Sequence, residues 1–356
     1  MQDNRRTALA LIVALIACLP LSGCITCSQG FSSRDCPFKP PPPPLTEGTL
    51  SDLAVSPDGN IVAFSFRDDL HHRHASGLFD RQTGKLARAG IDLPSPSFSP
   101  DGKSLAIAGG RVVDVAALWS GAPVPPGAPT IDGRSIFEPG TGAVLTVARG
   151  TQKDPLGQPL DTLTLHAQDG AVRDLLAPAD EFGLIRDTAF VNKRWILFIG
   201  FMPLNPQYQA YERSLATQKY QRFLYMLPPG ERPVPLDNIV FRDVGPAGAS
   251  SRLQEFAVSA DGTVMVFILR ANTPSERNRA YYYEVFREDL GRLTQMTHAG
   301  GHPRDLAISG NGTTAVFGYD VPSSGDYDLA VLDMRSGATV KTGLLDRIKN
   351  DPQFQH

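Results

Sequence analysis

The sequence predicts an all-β fold built from repeated strand hairpins, and three observations support this prediction. The 356 residues include 33 glycines and 30 prolines, which is a composition rich in turn-forming residues. A segment that reads as strand, tight turn and strand recurs along the chain after residue 50. The copies lie about 50 residues apart on average, which leaves room for four short strands in each repeat.

The repeated segment is identified by its turn. An Asp-Gly or Asn-Gly pair supplies the positive φ angles that a tight hairpin turn requires, and β-branched or aromatic residues flank the pair in a nearly alternating pattern. The clear copies read LAVSPDGNIVAF from Leu53, PSFSPDGKSLAI from Pro96, FAVSADGTVMVF from Phe256 and LAISGNGTTAVF from Leu306. Two weaker copies begin at Ile136 and Ala189. Each copy therefore predicts a β-hairpin.

A second hairpin follows the first in most repeats, as at residues 78–86 and 329–338. Each repeat is therefore expected to be a four-stranded antiparallel meander. Six such sheets bury both of their faces only by packing radially against their neighbours. The sequence thus predicts a six-bladed β-propeller of four-stranded antiparallel blades over residues 50–345, followed by a C-terminal tail at residues 346–356.

Two parts of this propeller are less regular in the sequence. The second repeat departs from the pattern, because no clean second hairpin lies between Arg111 and Pro129. The sequence also does not determine which segment closes the ring. Either residues 45–50 or the tail from Leu344 could supply the last strand.

The N-terminal residues have the pattern of an export signal. Arg5 and Arg6 precede a mostly apolar run from Thr7 to Leu21, which is short for a transmembrane helix but typical of a secretory signal peptide. The run ends in Leu21-Ser22-Gly23-Cys24, which resembles the lipobox of bacterial lipoproteins. The resemblance implies a signal peptide at residues 1–23 and a diacylglycerol on the sulfur of Cys24.

The resemblance to lipoproteins also implies a location. In that family an Asp after the lipidated Cys favours the inner membrane, whereas this chain has Ile25. We therefore expect an exported protein that is lipid-anchored in the outer membrane, faces the periplasm and contacts the membrane through its anchor only. The alternatives are an ordinary signal peptide with a coincidental cysteine and twin-arginine export through Arg5-Arg6, although the flanking residues fit that export pattern poorly.

Residues 24–49 are predicted to form a lipidated linker. Once Cys24 carries lipid, Cys27 and Cys36 remain; in an oxidising compartment they either form a disulfide that closes a small loop or stay as free or intermolecular thiols. Pro40 to Pro44 are five consecutive prolines, which adopt the extended polyproline II form. The linker therefore holds the folded body away from the membrane.

The repeated motifs also resemble those of a known propeller family. The Ser-Pro-Asp-Gly turn, the Ala-Phe strand that follows it and the Asp-x-x-x-Gly second turn are similar to the WD-repeat-like propeller of TolB-type periplasmic proteins, over residues 50–345. The resemblance implies the fold but no single function, because such propellers serve translocation systems, peptidase gating and some lyases. TolB-type proteins also carry a separate N-terminal α/β domain, whereas this chain has the lipidated linker.

Two functional classes are disfavoured by composition and motifs. The formal net charge is −3 and the isoelectric point is near 6.2, so the chain offers no basic field for a nucleic-acid backbone. No G-x-S-x-G nucleophile elbow occurs, and the few residues after the last repeat leave no room for a peptidase domain.

The longer loops are expected at one end of the propeller, opposite the tight turns. The sequence places them at residues 68–76, 202–222, 271–280 and 321–326. The longest contains Tyr208, Tyr211 and Arg213, which are residue types common at protein interfaces. Loops on a rigid scaffold often carry binding residues, so we expect a protein or peptide of the cell envelope to bind this face.

A set of acidic residues is expected to ring the mouth of the central channel. Three positions before a common point in the six hairpins stand Asp52, Ser95, Arg134, Asp187, Glu255 and Asp305. The four carboxylates either concentrate negative potential that attracts a metal cation or a basic peptide, or hydrogen-bond to the backbone of neighbouring blades.

Five histidines come from adjacent blades at the same end of the predicted ring. They are His71, His72 and His74 in the first blade and His298 and His302 before the last. Neutral imidazoles bind zinc and other divalent ions, so a metal is possible although the chain needs no cofactor for the expected scaffold role.

Three functions are compatible with this sequence. The favoured one is a non-catalytic envelope scaffold that binds a protein or peptide through its long-loop face. One alternative is a metal-dependent propeller lyase or hydrolase that acts on a carbohydrate or small molecule at the channel mouth. The other is a sensing or transport-associated propeller that binds a small cationic molecule at the acidic ring.

Overall fold

A computed structural model describes much of the chain from residue 48 to residue 354. Within that span it leaves out residues 71, 123–133, 155–156, 158, 178–183, 192–194, 204–219, 237–252, 272–281, 290–291, 299–300 and 323. The predictions for the signal peptide, Cys24, Cys27, Cys36 and the five prolines lie outside the described residues.

The described residues form β-strands in almost every part of the chain. The first twelve are β1 (Thr49–Val55), β2 (Ile61–Asp68), β3 (Arg73–Asp80), β4 (Leu86–Arg88), β5 (Ser97–Phe98), β6 (Ser104–Ile107), β7 (Arg111–Asp114), β8 (Ser135–Phe137), β9 (Val144–Lys153), β10 (Pro159–His166), β11 (Val172–Leu176) and β12 (Leu184–Val191). The others are β13 (Trp195–Pro203), β14 (Tyr220–Leu227), β15 (Val234–Pro235), β16 (Leu253–Val258), β17 (Met265–Ala271), β18 (Tyr282–Asp289), β19 (Arg292–Gln295), β20 (Arg304–Ile308), β21 (Thr314–Asp320), β22 (Tyr327–Asp333) and β23 (Thr339–Lys341).

Consecutive strands pair antiparallel into groups, as the hairpin motifs predict. In the part of the chain that is described, group 1 is β1–β4, group 2 is β5–β7, group 3 is β8–β11, group 4 is β12–β15, group 5 is β16–β19 and group 6 is β20–β23. A single parallel pair, Thr49 with Tyr327, joins groups 1 and 6 into one hydrogen-bonded sheet.

The groups are arranged around one central cavity. The first strand of every group contributes to the wall of this cavity, which has a volume of about 220 Å³. Apolar clusters fill the space between neighbouring groups; Leu53, for example, packs with Val331 of group 6. Radial packing of antiparallel sheets around a central space is the architecture of a β-propeller, so the predicted all-β propeller class is confirmed.

The tight turn of group 1 is held by a serine and an aspartate. The buried Ser56 hydroxyl donates to Asp58 Oδ1 at 2.5 Å and accepts the Ile61 N–H at 2.8 Å. Burial raises the pKa of Asp58, but the hydrogen bonds from Ser56 and Asn60 outweigh this effect and hold it below its ordinary value. Gly59 follows with a φ of 81°, which favours glycine.

The same arrangement recurs in three other groups. The serine hydroxyl donates to the acidic or amide side chain two residues later and accepts the backbone N–H five residues later at Ser99, Ser259 and Ser309. The repeated motif is therefore a repeated hydrogen-bond network as well as a repeated turn.

The turns of neighbouring groups contact one another directly. The Ala260 N–H donates to the Gly310 carbonyl at 3.1 Å, and the Asn311 N–H donates to the Pro57 carbonyl at 3.0 Å. A Cβ on Gly310 would lie only 3.0 Å from the Cα of Pro57, so the close approach requires glycine. Backbone hydrogen bonds thus connect groups 5, 6 and 1 at the turn end.

Group 2 has three strands in the described residues rather than the predicted four, and residues 123–133 of this repeat lie outside them. After β7 the chain forms helix α1 (Val115–Ser120), which packs against group 1. The Asp114 side chain accepts the Ala117 N–H at 2.8 Å and caps the helix, and Gly121 ends it with a φ of 65°. None of the helices in the described residues is long and apolar enough to cross a membrane.

Two of the expected loops are shorter than predicted, because strands extend into them. In group 1 the strands β2 and β3 continue as a regular hairpin, so only residues 69–72 connect them. In group 4 the strands β13 and β14 pair out to Pro203 and Tyr220, which leaves residues 204–219 as the insertion.

The C-terminal residues cover the junction of groups 1 and 6 in a way that the sequence did not predict. Of the first proposed segment, Thr49 pairs with Tyr327 of the last group, whereas the described tail from Leu344 adds no strand. Instead helix α2 (Leu344–Asn350) and a 3-10 turn (Pro352–Phe354) pack across groups 1 and 6. The Phe354 ring stacks on Phe64 of group 1 with centroids 6.2 Å apart, and the Arg88 guanidinium donates to the Gln353 carbonyl at 2.9 Å.

We predict that Phe354→Ala lowers the free energy of unfolding by about 3 kcal/mol, because it leaves a cavity at the junction of groups 1 and 6. Gln353→Ala is the control, since this neighbouring side chain is exposed. Urea denaturation followed by circular dichroism measures both variants. Equal midpoints for the two variants would show that the C-terminal turn does not hold the ring.

Candidate functional site

The six positions of the predicted ring surround the central cavity. Asp52, Ser95, Arg134, Asp187, Glu255 and Asp305 all contribute to its wall. The four acids lie within the innermost strands, and Ser95 and Arg134 lie just before them, on the side of the cavity away from the tight turns. The opposite part of the wall is formed by the tight turns, including Pro57, Pro100 and Gly310. All six positions that were selected from the sequence therefore line a single cavity.

The backbone at the ring is unusual for residues with side chains. The φ angles are 51° at Asp52, 46° at Ser95, 42° at Asp187 and 55° at Asp305. Among the described residues, His72 is the other non-glycine residue with a positive φ. At Asp52, Asp187 and Asp305 the residue also falls within a register shift between the first two strands of its group. Aspartate tolerates this left-handed conformation better than most residues.

The ring residues are connected from one group to the next by hydrogen bonds. The Ser95 N–H donates to Asp52 Oδ1 at 3.0 Å, and the Asp52 N–H donates to Asp305 Oδ1 at 3.3 Å. The Leu306 N–H donates to Glu255 Oε2 at 2.9 Å. Of the two roles considered for the carboxylates, the one as backbone acceptors is therefore observed for three of them.

Asp187 is bound differently from the other ring acids. Its Oδ1 accepts a hydrogen bond from the Arg134 guanidinium of the preceding group. Its Oδ2 is buried and has no hydrogen-bond partner among the described residues, and the residue is only 5% exposed. Because an unpaired buried oxygen is costly, this atom is a candidate contact for a ligand.

The electrostatics of the ring are most perturbed at Asp305. Burial and the nearby carboxylates of Glu255 and Asp52 raise its pKa to about 6, against the opposing effect of Arg304. The Arg304 Nε lies 3.5 Å from Asp305 Oδ2, and its guanidinium carbon lies 3.3 Å from the ring centre of Tyr327. The acids of the ring are thus close enough to disfavour one another's ionisation.

The histidines are not gathered into one site within the described residues. His74 lies on strand β3 opposite Arg67 rather than on a loop, which corrects its predicted position. His298 contacts the Gln295 amide at 3.0 Å, and the His302 ring lies 5.9 Å from that of Tyr283.

The sequence left a divalent metal ion as one possible ligand of these histidines, beside a scaffold without a cofactor. No group of three His, Cys, Asp or Glu side chains suited to a metal ion occurs in the described ranges, which include His72. His71 lies outside them, as do Tyr208, Tyr211 and Arg213 of the longest insertion.

The sequence analysis missed the turn-end part of the cavity wall. Pro57, Pro100, Pro139, Ala260 and Gly310 each follow the first residue of their tight turn and line the cavity. The signal was present, because these residues occupy the same position in the repeated motif. Arg304 was also missed, although it directly precedes a ring residue.

Comparisons with known proteins give a fold but no family. No protein-family model and no curated protein matches this chain. Among solved structures, the β-propeller domain of the Trilobed protease from Pyrococcus furiosus is 13% identical, covers 85% of this chain and 86% of its own, and gives a TM-score of 0.48. TolB from Acinetobacter baumannii is 15% identical, covers 82% and 53%, and gives 0.37.

An acylaminoacyl peptidase is similar at 13% identity over 83% of this chain and 46% of the peptidase, with a TM-score of 0.46. The chain thus spans about half the length of this peptidase and of TolB. Identities and TM-scores at this level carry no argument about activity, so the function is argued from the residues of this chain.

Asp305 gives a prediction for the pH dependence of stability. The pKa of Asp305 is about 6 in the folded protein, whereas the ordinary value, which applies to the unfolded chain, is 3.8. Between these two pH values the folded state binds more protons than the unfolded state, so stability falls as the pH rises. Asp305→Asn should remove this fall, so the variant gains stability relative to the wild type from pH 4 to pH 7. Urea denaturation across this range measures the effect.

The control for this prediction is Asp101→Asn. Hydrogen bonds from Ser99 and Lys103 hold the pKa of Asp101 below its ordinary value, so its contribution has the opposite sign. That contribution is present above pH 4 and is lost at lower pH. Identical pH profiles for Asp305→Asn and the wild type would contradict the proposed crowding of carboxylates.

Proposed function

We propose that this chain is an exported lipoprotein, anchored by Cys24 in the outer membrane and facing the periplasm. Its strand groups are the blades of a closed six-bladed propeller. The propeller acts as a non-catalytic scaffold that binds a protein or peptide of the cell envelope through its loop end. The observation that carries the proposal is the difference between the two ends of the propeller.

The turn end is repetitive and internally connected. The turns of groups 1, 2, 5 and 6 repeat one hydrogen-bond network, and backbone hydrogen bonds join the turns of groups 5, 6 and 1. The strand ends at the loop end are instead joined by connections of different lengths, from residues 69–72 to residues 204–219. A rigid framework that carries variable connections at one end is the usual arrangement of a binding surface.

The loop end also carries the negative charge of the channel. Asp52, Asp187, Glu255 and Asp305 line the cavity on this side, and Arg134 is the only basic residue that lines it with them in the described part of the chain. A partner segment with basic residues is therefore favoured electrostatically. Tyr208, Tyr211 and Arg213 in the longest connection are proposed to supply further contacts.

The lipid anchor predicts the location of a Cys24→Ala variant. Without the thiol no diacylglycerol can be attached, so the variant should lose its membrane association. Fractionation of envelopes, with mass analysis of the mature N-terminus, measures this. Cys27→Ala is the matched control and should stay in the membrane fraction. A Cys24→Ala protein that remains in the outer membrane fraction and lacks cleavage before residue 24 would contradict the proposal.

The loop-end surface is tested by crosslinking in the intact envelope. Tyr211→Ala combined with Arg213→Ala should lower the yield of crosslinked partner at least severalfold, because these side chains are proposed contacts. Arg232→Ala is the control, since this exposed arginine lies between β14 and β15 at the turn end of the same group. Unchanged crosslinks in the loop variant, with an unchanged melting temperature, would remove this loop from the binding surface.

A further inference from the structure

The central cavity combines a charged limit with walls that are partly apolar. At the loop end it is bounded by the four ring carboxylates, and toward the turn end its lining includes Val55, Ile136, Val258 and Ile308 beside several serines. Its volume is about 220 Å³. The space therefore suits a small molecule with one charged end and a short apolar chain.

The charge at this limit is not fully balanced by the described residues. Two arginines compensate the four carboxylates, since Arg134 binds Asp187 and Arg304 lies beside Asp305. The other hydrogen bonds that Asp52, Glu255 and Asp305 accept come from backbone N–H groups and, at Asp52, from serine hydroxyls, all of which carry no net charge. A cation in the cavity would offset the remaining negative charge.

One atom at the ring lacks a partner. Asp187 is one of the residues that line the cavity. Its Oδ2 atom is buried and accepts no hydrogen bond from the described residues. The other oxygen of the same carboxylate is taken by Arg134. A guanidinium binds a carboxylate best through both oxygens, whereas a primary ammonium needs only one. The free oxygen therefore favours an ammonium group.

The arrangement of the acids also favours an organic cation over a metal ion as the ligand. A divalent ion needs several oxygens converging on one point, and no group of three suitable side chains occurs in the described ranges. Carboxylates that are spread around a cavity with apolar walls instead suit a charge attached to a hydrocarbon chain. The side chains present thus fit an alkylammonium better than a bare ion.

We propose that the central cavity is a binding site for a small primary alkylammonium group, whose nitrogen donates to Asp187 Oδ2 and whose alkyl chain extends toward the tight turns. The group can belong to a free amine or to a lysine side chain, which have the same chemistry. The site shares its ring carboxylates with the proposed loop-end surface and in this respect rests on the proposed function. Its test uses pentylammonium and Asp187, whereas the loop-end surface is tested through Tyr211 and Arg213, so the two failures are distinguishable.

The test uses the full-length protein in detergent and pentylammonium chloride as the probe. Isothermal titration calorimetry should show one saturable site. Asp187→Asn should weaken binding at least about tenfold, because a charge-assisted hydrogen bond is lost. Asparagine tolerates the φ of 42° at this position, so the variant is expected to fold. Asp161→Asn is the matched control, since Asp161 is also a buried carboxylate that accepts a backbone N–H of the next group, from Ile185, but lies outside the cavity lining.

A second variant acts in the opposite direction. Arg134→Gln removes a competing cation and frees Asp187 Oδ1, so it should tighten binding of pentylammonium. A purely structural role of the pair would weaken binding in both variants. If Asp187→Asn fails to fold, the tightening in Arg134→Gln still decides the question.

Three further probes identify the ligand. Pentanol, which lacks the charge, should not bind. The peptide acetyl-Gly-Lys-Gly-amide should compete with pentylammonium if a lysine side chain is the natural group, and its failure to compete assigns the site to free amines. The proposal is overturned by any of three results. Pentylammonium shows no saturable binding, it binds Asp187→Asn as tightly as the wild type, or calcium chloride binds in place of the amine in a way that depends on Asp187.

Discussion

The structure depends on how the innermost strands satisfy their free edges. Apart from the Thr49–Tyr327 pair, the first strand of each group pairs only with the second in the described residues, so its other edge presents N–H groups to the central channel. A buried N–H without an acceptor costs about 1–3 kcal/mol. Here the side chains of Asp52, Asp305 and Glu255 accept such hydrogens from the neighbouring group. The carboxylates therefore connect the groups as well as solvating the edges.

This solution places negative charge at one limit of the central cavity. The left-handed backbone at Asp52, Asp187 and Asp305 turns each residue out of the regular strand pairing, which gives its carboxylate access to a neighbouring group. The electrostatic cost of burying these carboxylates close together appears as the raised pKa of Asp305. Arg134 and Arg304 offset part of it. The same interactions that join the groups thus leave a polarised cavity, with acids at one limit and backbone turns at the other.

The parts of the fold that the sequence predicted are those determined by local interactions. The turn of group 1 requires only Ser56, Asp58 and Gly59, so its copies could be recognised one by one. When the repeated turns are aligned, the six ring residues stand three positions before a common point in each hairpin. The donors that reach the ring acids from other groups could not be predicted, because they lie far away in the sequence.

The elements that were missed are short or depend on distant residues. Helix α1 has six residues, and such a length shows no clear periodicity; its position follows from packing on group 1. His74 was expected on a loop, but pairing with Arg67 extends the strand through it. The role of Phe354 depends on Phe64, which lies at the other end of the chain.

The junction between groups 1 and 6 is the place where the chain itself does not connect neighbouring groups. Three layers of interaction cross it instead. At the ring the Asp52 N–H donates to Asp305, and at the turn end the Asn311 N–H donates to the Pro57 carbonyl. Around the outside, helix α2 and the turn after it bury apolar residues of both groups.

The innermost of these layers uses the same contacts that shape the cavity. Asp305 accepts the hydrogen bond that crosses the junction and also lies among the acids at the cavity limit. A cation bound there would lower the repulsion among these acids, and so would strengthen the junction without touching helix α2. Ligand binding and closure of the ring are therefore expected to be thermodynamically coupled through Asp305, with each stabilising the other.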